Sequence, residues 1–326
     1  MTKKTIQLCN LAKIDKASFM RHAHCVIPDA LQQTIVSVHG EVGKYWLKQF
    51  PDLLKSLVKQ WKFKIEKRCA NLSFNFVAVV VFEDGSKAIL KCGVPNAEFT
   101  TEIDASRVYA GEGAVKLIAA DAKKGWLIEE RCVPGKNLLS LKDDDKATIV
   151  ALNLMQQLWR PLNSKTKFPT LAKWLRGLNK LQKYARANAG VFPKKLIDYS
   201  LSASKELLAS PGEQILLHGD LHHFNILSSA RNSWLAIDPK GVIGEREYEI
   251  CALMRNPGPQ LFTTMNTKQV ILRRLDQIAE HTGFDRERIL LWSIVNAVLT
   301  AWWCIEDKVP GKDYLLNYAQ ILHEYI

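Results

Sequence analysis

The sequence predicts an α+β protein of two lobes, with a small N-terminal β-sheet lobe that carries a helical extension and a larger, mostly helical C-terminal lobe. Its 326 residues exceed what most single hydrophobic cores accommodate. Hydrophobic residues make up 47% of the chain and charged residues 24%, which is ordinary for a folded soluble protein. Strand-like segments come mainly before residue 134, whereas helical patterns dominate after it. These observations favour two lobes of different composition.

The N-terminal lobe opens with a helical pattern. Residues 1–38 show no clear pattern and are treated as part of the extension. Between residues 40 and 65, apolar side chains recur at helical spacing: Leu47, Phe50, Leu54, Leu57, Val58 and Trp61. Pro51 predicts the start of a second helix, because proline is tolerated at a first helical position.

The predicted sheet follows this helical segment. The stretch "FNFVAVVVFEDGSKAILKCG" predicts two strands around a turn at residues 83–86. A helix is expected from Ala97 to Tyr109, and "GWLIEE" is another strand. Pro134-Gly135 marks the best boundary. The predicted lobes are therefore residues 1–133 and 134–326, with a hinge near 129–133.

The second predicted lobe is helical except for one stretch. Helical periods run through "DDDKATIVALNLMQQLWR", "TLAKWLRGLNKLQKYARAN", "KLIDYSLSASKELLAS", "QVILRRLDQIAEHTG" and "RERILLWSIVNAVLTAWWCIED". Residues 216–241, "LLHGDLHHFNILSSARNSWLAIDPKG", interrupt them with a short strand, a loop and a β-hairpin.

Charge and cysteine usage exclude several classes of protein. The formal net charge is +12, but the lysines are scattered, which favours a solvated basic surface over a nucleic-acid site. The seven cysteines form no CxxC pair, so reduced thiols are expected rather than disulfides or a zinc site. The N-terminus lacks an apolar signal region, and no run of eighteen apolar residues occurs. We expect a cytoplasmic protein that binds no membrane, and its oligomeric state is left open.

The interrupting stretch carries the candidate chemistry. Asp220 follows a short apolar strand, and Asn225 and Asp238 stand where the two hairpin strands meet the loop. Such oxygen ligands suit Mg²⁺. Turn chemistry explains the two aspartates but not the asparagine between them. Asn225 therefore favours a functional interpretation.

Three histidines in the same stretch have a more ordinary interpretation. His218, His222 and His223 lack a cysteine partner or an HExxH frame, so zinc is not expected. His218 is interpreted as a buried hydrogen-bonding scaffold for the loop. His222 and His223 are interpreted as packing or surface groups.

The pattern His-x-Asp-x4-Asn, followed by a strand that ends in Asp, resembles the catalytic and metal loops of the protein-kinase-like fold. This resemblance implies that Asp220 accepts the proton of the acceptor hydroxyl. It also implies that Asn225 and Asp238 hold Mg²⁺ on the phosphates of the nucleotide.

The same resemblance identifies a phosphate clamp in the first lobe. Lys91 in "KAILKCG" stands in the place of the strand lysine that binds the nucleotide phosphates. Glu102 on the next helix is the acid expected to hold that lysine. Glu98, one turn earlier, is the alternative.

Two nucleotide contacts are less clearly marked. "LIEERCVPG" fits the interlobe hinge, where backbone groups around Glu130 and Cys132 are expected to contact adenine. No GxGxxG occurs in the first strand pair. Phosphate contacts are therefore expected from backbone N–H groups and from Ser73 or Asn75 in "NLSFNFV".

Longer segments resemble one family within that fold. "HGDLHHFNIL", "IDPKGVIGE" and "ALMRNPGP" are similar to the aminoglycoside and hydroxyurea phosphotransferase family, which includes streptomycin 6-phosphotransferases. The resemblance covers roughly residues 39–310. It implies ATP- and Mg²⁺-dependent phosphorylation of a hydroxyl on a small molecule, in the first instance a streptomycin-type aminoglycoside.

A cationic acceptor requires acidic groups near the site. The candidate substrate residues are Glu245, Glu247, Glu306, Asp307, Arg255 and Asn256. For each acid, a solvated surface position is an equal alternative. For the last two, capping or pairing inside the lobe is equally plausible.

Other functions stay open at this level. A kinase of a different small metabolite fits the same phosphate machinery. A nucleotide-binding pseudokinase is disfavoured, because Lys91, Asp220, Asn225 and Asp238 are all present. A nucleic-acid-binding protein is disfavoured by the absence of a concentrated basic and aromatic stripe.

Overall fold

The computed structural model describes residues 27–70, 72–161, 167–188, 190–263 and 266–325. It has a five-stranded sheet in the first part of the chain and a mostly helical remainder. The predicted α+β class with a sheet lobe and a larger helical lobe is confirmed. The placement of the boundary at residues 133/134 stays a prediction.

The N-terminal sheet is antiparallel in the order β1-β2-β3-β5-β4. Its strands are β1 (Lys64–Arg68), β2 (Phe76–Val81), β3 (Lys87–Cys92), β4 (Leu117–Asp121) and β5 (Trp126–Glu130). The apolar β2 and β3 form the expected hairpin, and Asp84 accepts the backbone N–H of Ser86 at 2.9 Å in its turn. β1, "KIEKR", is a mostly exposed edge strand, and its charges hide it from an apolar pattern.

A long helix, α1 (Asp29–Trp61), packs against this sheet. Its Phe50 ring lies 5.0 Å from the Phe76 ring of β2. The prediction that Pro51 starts a second helix is wrong, because Pro51 lies inside α1 and the break is at Gly40 (φ 56°, ψ −131°). That backbone conformation favours glycine. Phe50 and Leu54 are buried in one core, and this burial outweighs the hydrogen bond that proline removes.

Helix α2 (Ala97–Tyr109) has the bounds that the sequence predicts. The Asn96 side chain caps it by accepting the backbone N–H of Phe99 at 2.8 Å. Glu98 and Glu102 are four residues apart, so they lie on one face of the helix. This face meets the functional loops.

The second lobe contains eight helices and six short strands within the described residues. The helices are α3 (Asp144–Leu158), α4 (Leu171–Trp174), α5 (Arg176–Ala187), α6 (Lys194–Ala209), α7 (Arg246–Met254), α8 (Thr267–Thr282), α9 (Arg286–Glu306) and α10 (Lys312–His323). By length and composition α9 could cross a membrane, but most of it is buried in the core of this lobe.

Two three-stranded sheets hold the functional loops. One has the order β10-β9-β6, from β6 (Pro134–Asn137), β9 (Ile226–Ser229) and β10 (Trp234–Ala236). The other has the order β11-β8-β7, from β7 (Arg160–Pro161), β8 (Ile215–Leu217) and β11 (Val242–Gly244). The sequence predicted the β9–β10 hairpin and β8 but not their partners.

The cysteines that the structure describes are free thiols, as the sequence predicts: Cys69, Cys92, Cys132, Cys251 and Cys304. Cys9 and Cys25 lie outside the described residues, as does the N-terminal segment on which the expectation of no secretory signal rests.

Candidate active site

The loop after β8 is fixed by a buried carboxylate from α7. Glu249 is 2% exposed and accepts the backbone N–H groups of His218 at 2.6 Å and Gly219 at 2.9 Å. Burial raises the pKa of Glu249 to about 7, against the effect of these donors. Gly219 has φ 83°, which suits glycine in so tight a turn. Sequence reasoning missed Glu249, because its partners are about thirty residues away along the chain.

His218 joins this loop to the end of the hairpin. Its Nε2 lies 2.9 Å from the carbonyl oxygen of Ile237, and its Nδ1 accepts the backbone N–H of Asp220 at 3.3 Å. Burial lowers the pKa of His218 to about 4, so the ring is neutral with the proton on Nε2. The histidine is therefore a scaffold between Asp220 and the residue before Asp238.

Asp220 has basic side chains beside its carboxylate. Its Oδ1 lies 3.1 Å from an Arg255 nitrogen and 3.7 Å from His222 Nε2. Burial raises the pKa of Asp220, but His222, Arg255 and Lys240 together hold it well below the usual range. The carboxylate is therefore ionised at neutral pH.

Arg255 forms contacts inside the lobe, beside Asp220, and its contact with substrate stays a prediction. Its guanidinium is committed to Asp220 and to the Asn296 side-chain oxygen, at 3.0 Å. The neighbouring Asn256 donates to the carbonyl oxygen of Ala252 at 2.8 Å. The "RNP" residues therefore pair and cap inside the lobe, and Arg255 also orients the Asp220 carboxylate.

Asn225 and Asp238 fit the donor set for Mg²⁺. Asn225 donates its side-chain N–H to the carbonyl oxygen of Asp220 at 3.0 Å, which leaves its side-chain oxygen as the ligating atom. Its own carbonyl accepts the N–H of Ile237 at 3.0 Å, which ties it to the neighbour of Asp238. The Asp238 side chain is 44% exposed. The backbone at Asp238 has φ 59°, a conformation that is rare for residues other than glycine and is concentrated at functional sites. Oxygen ligands with open positions suit a cation that also binds phosphates.

Lys91 lies between carboxylates from both lobes. Its ammonium is 2.6 Å from Glu102 and 3.3 Å from Asp238. Burial lowers the pKa of Lys91, but Asp238 and Glu102 raise it above its ordinary value. Lys91 is therefore charged, and Glu102 rather than Glu98 is its helix partner.

Glu98 pairs with a different lysine that sequence reasoning did not single out. It forms an ion pair with Lys240, from the loop after Asp238. Glu98 and Lys240 are 142 residues apart, and neither shows an unusual local pattern in the sequence.

The residues of the predicted hinge contact groups from both parts of the chain. Glu130 forms a two-pronged ion pair with Arg231, with both oxygens 2.8 Å from guanidinium nitrogens. Its backbone N–H donates to the Lys116 carbonyl at 2.8 Å. Cys132 packs with Val115 and Leu235 in a small apolar cluster. This cluster borders the connection between β5 and β6.

Ser73 and Asn75 lie in the connection from β1 to β2. Ser73 is exposed, and the Asn75 side chain lies against the backbone of Gly93, where a Cβ would clash with it at 1.9 Å. Their contact with phosphate stays a prediction.

The expected substrate acids separate into two groups. Glu245 is 1% exposed and bonds to Arg288, to the indole N–H of Trp292 and to the N–H of Gly212 at 2.6 Å. Its assignment to substrate is wrong, because this network uses both carboxylate oxygens. The charged neighbours of Glu247 are Glu245, Arg288 and Arg246, so the structure does not bring it to Asp220 either.

The other two acids lie at the end of α9. Glu306 pairs with Lys180 at 2.9 Å. The pKa of Asp307 is raised, first by burial and then by Glu98 and Glu306, while Lys240 opposes the shift. Asp307 is therefore within electrostatic reach of the Glu98–Lys240 pair.

The chain matches the model of the family described as aminoglycoside/hydroxyurea antibiotic resistance kinase over residues 61–308. It is 29% identical over 295 residues to streptomycin 6-kinase of Streptomyces glaucescens, covering 88% of this chain and 93% of the relative. It is also 29% identical over 307 residues to hydroxyurea phosphotransferase of Kitasatospora aureofaciens, covering 91% and 85%.

A solved structure with the same fold is aminoglycoside phosphotransferase APH(4)-Ia in a ternary complex with ADP and hygromycin B. The TM-score is 0.58 at 10% identity, and the match covers 82% of this chain and 97% of that one. The family match spans both lobes and includes Lys91 of β3 and the loops that carry Asp220 and Asp238. The protein belongs to the aminoglycoside/hydroxyurea antibiotic resistance kinase family.

Proposed function

We propose that the protein transfers the γ-phosphoryl group of ATP to a hydroxyl of a streptomycin-type aminoglycoside. The observation that carries this proposal is that Lys91, Asp220, Asn225 and Asp238 lie together in one network of contacts. The Lys91 ammonium lies 3.3 Å from Asp238, and the Asn225 amide bonds to Asp220. The streptomycin 6-kinase relatives support the choice of acceptor.

Nucleotide binding uses groups from both lobes in this proposal. Lys91, held by Glu102, binds the phosphates, and Asn225 with Asp238 would hold Mg²⁺, which neutralises the phosphate charge. The backbone groups at Glu130 and Cys132 receive the adenine edge. Ser73 and Asn75 lie in the β1–β2 connection, which is the expected position for further phosphate contacts.

Asp220 orients the acceptor hydroxyl by accepting its hydrogen bond. The acceptor oxygen forms a bond to the γ-phosphorus, the bond from this phosphorus to the bridging oxygen of ADP breaks, and the hydroxyl proton moves to Asp220. Because the pKa of Asp220 is held low by His222, Arg255 and Lys240 against burial, the proton moves late. A loose transition state for phosphoryl transfer is compatible with this order.

Acids near the cleft mouth support a cationic acceptor. Glu98, Asp307 and Glu306 are electrostatic neighbours beside Lys240 and Asp220. A guanidinium or ammonium group of the acceptor would pair with them. This group replaces Glu245 and Glu247 as the substrate-binding acids.

A second acceptor is hydroxyurea, which the relative from Kitasatospora aureofaciens supports. It is neutral and small, so it would not need the acids at the cleft mouth. We place the activity in the cytoplasm, where ATP is available.

The test is a phosphotransfer screen with the purified protein, ATP and Mg²⁺. Streptomycin, other aminoglycosides, hydroxyurea and sugar alcohols are the acceptors, and phosphorylated product is detected by mass spectrometry. We expect transfer to streptomycin and increased streptomycin tolerance in a sensitive bacterium that expresses the protein. Activity on a neutral metabolite alone contradicts the aminoglycoside assignment, and nucleotide binding without any transfer supports a pseudokinase.

A further inference from the structure

Two glutamates on one face of α2 each hold a lysine. Glu102 pairs with Lys91 from β3, and Glu98, four residues earlier, pairs with Lys240 from the loop after Asp238. The second pair connects the two lobes. In both pairs a glutamate of α2 holds a lysine, but Lys240 comes from the second lobe.

The backbone fixes Lys240 between the two aspartates of the site. Its N–H donates to the carbonyl oxygen of His218 at 2.8 Å, and Gly241 donates to the same oxygen at 3.2 Å. His218 precedes Asp220 by two residues, and Lys240 follows Asp238 by two. The Lys240 side chain therefore starts at the point where the loop that carries Asp220 meets the loop that follows Asp238.

The charge of Lys240 acts on both aspartates. Burial opposes the ionisation of each one. Lys240 is one of the groups that lower the pKa of Asp220, where His222 and Arg255 have larger effects. It also lowers the pKa of Asp238, where Lys91 has the larger effect. The Lys240 side chain is 38% exposed and that of Glu98 is 61% exposed, so the pair is accessible to solvent.

Two other cations near Asp220 and Asp238 are already committed. Lys91 is 6% exposed and lies between Glu102 and Asp238, and Arg255 is held by Asn296 and Asp220. Among the described residues, the ion-pair partner of Lys240 is Glu98, whose side chain is 61% exposed, and phosphate can replace it without leaving a buried charge unpaired.

We propose that Lys240 is a catalytic residue that contacts the transferring phosphoryl group, and that Glu98 positions its ammonium until the phosphate replaces this carboxylate. This inference rests on the proposed phosphotransferase function. During transfer, negative charge is spread over the oxygens of the phosphoryl group while it passes from ADP to the acceptor. An ammonium whose charge acts on both Asp220 and Asp238 stabilises that charge where it develops.

Nucleotide binding tests this inference without an acceptor. Calorimetry compares Mg-ADP with Mg-AMP-PNP, which keeps the third phosphate, for the wild type and for Lys240→Ala. We expect about a tenfold loss of AMP-PNP affinity and less than about a twofold change for ADP, because only the terminal group loses a charge-assisted contact. Lys240→Arg should recover most of the AMP-PNP affinity.

The rate and two further variants separate catalysis from structural support. Single-turnover transfer to the acceptor found for the wild type should fall about 10²- to 10³-fold in Lys240→Ala. Lys268→Ala, which removes a half-exposed ion pair with Glu324, should leave transfer unchanged. Glu98→Gln should keep the wild-type preference for AMP-PNP over ADP, since the phosphate contact remains.

Three results would overturn the inference. They are equal losses for ADP and AMP-PNP in Lys240→Ala, identical nucleotide profiles for Lys240→Ala and Glu98→Gln, and transfer by Lys240→Ala within about threefold of wild type. The first two indicate an interlobe tie only. If the wild type binds neither nucleotide, the proposed function itself fails, and the inference fails with it.

Discussion

At the residue scale, Asp220 is distinguished by the number of cations around one carboxylate. Arg255, His222 and Lys240 offset the cost of its burial and keep it ionised. A carboxylate of low pKa is a weak base towards a free hydroxyl, so its main contributions are orientation of the acceptor and acceptance of the proton late in transfer.

The substitution Asp220→Asn tests this division of labour. It keeps the size of the side chain and removes the proton acceptor, so transfer should fall about 10²- to 10⁴-fold. The affinity for Mg-nucleotide should change little, because Lys91, Asn225 and Asp238 remain. Single-turnover kinetics and calorimetry measure the two effects.

Asp238→Asn is the matched control for Asp220→Asn. It removes a carboxylate from the proposed metal site, so nucleotide affinity itself should fall in the presence of Mg²⁺. If both variants lost nucleotide affinity alike, Asp220 would belong to the metal site rather than to the acceptor.

Arg255→Met tests how the charge of Asp220 is maintained. Loss of the guanidinium should raise the pKa of Asp220, because less positive charge then offsets the effect of burial. Asp220 acts in its deprotonated form, so activity is lost as pH falls through its pKa. The acid limb of the kcat/KM profile should therefore move to higher pH in the variant.

A surface variant provides the comparison for that profile. Arg286→Met removes an exposed ion pair with Asp276 and should leave the acid limb in place. An unchanged acid limb in Arg255→Met would show that His222 and Lys240 suffice to hold the charge of Asp220.

At the element scale, one buried arginine joins two helices and a turn of the second lobe. Arg274 of α8 is 1% exposed and binds Asp144 at the start of α3 through two nitrogens, at 2.9 and 2.5 Å. It also donates to the carbonyl oxygen of Asn256 at 2.5 Å. Asn256 directly follows Arg255, so this hydrogen bond holds the turn from which Arg255 reaches Asp220.

Arg274→Met should destabilise the protein strongly. The loss of the guanidinium leaves the buried carbonyl of Asn256 without this donor and removes two charged hydrogen bonds from the half-buried Asp144, which keeps only Arg273, and this costs about 3 kcal/mol of unfolding free energy. Denaturant unfolding of the neighbouring variant Arg273→Met provides the control. Arg273 pairs with the same Asp144 from a 46% exposed side chain, so its loss should cost less than about 1 kcal/mol. Similar losses for the two variants would contradict the assigned role of burial.

At the scale of the whole molecule, the turn of the β9–β10 hairpin reaches across to the first lobe. Arg231 in this turn binds both oxygens of Glu130 and donates to the carbonyl oxygens of Gly111 and Ala114, each at 2.8 Å. One side chain therefore fixes the hinge strand, the connection after α2 and the hairpin relative to one another.

Arg231→Met should loosen the nucleotide site at the hinge. We expect a loss of about 2 kcal/mol of unfolding free energy, from several charged hydrogen bonds that are partly exposed to solvent. We also expect a several-fold higher KM for ATP, with a smaller change in kcat, because Arg231 contacts none of the reacting groups. A change in kcat alone would place the effect on the transfer step instead.

The sequence alone determined the fold class and the order of the phosphate-binding groups. Asp220, Asn225 and Asp238 lie within one strand, loop and hairpin, so short-range hydrogen bonds through His218 and Ile237 bring them together. The bounds of α2 were predictable for a similar reason, because its cap at Asn96 is local.

Tertiary structure decided the partners of charged groups that are distant along the chain. No local sequence pattern indicates that Arg288 and Trp292 bind the Glu245 carboxylate, or that Glu98 pairs with Lys240. Both acids look alike in the sequence, yet Glu245 is 1% exposed and the Glu98 side chain is 61% exposed. Packing determines which carboxylates lose their water and must be paired inside the protein, and therefore which ones stay available to a substrate.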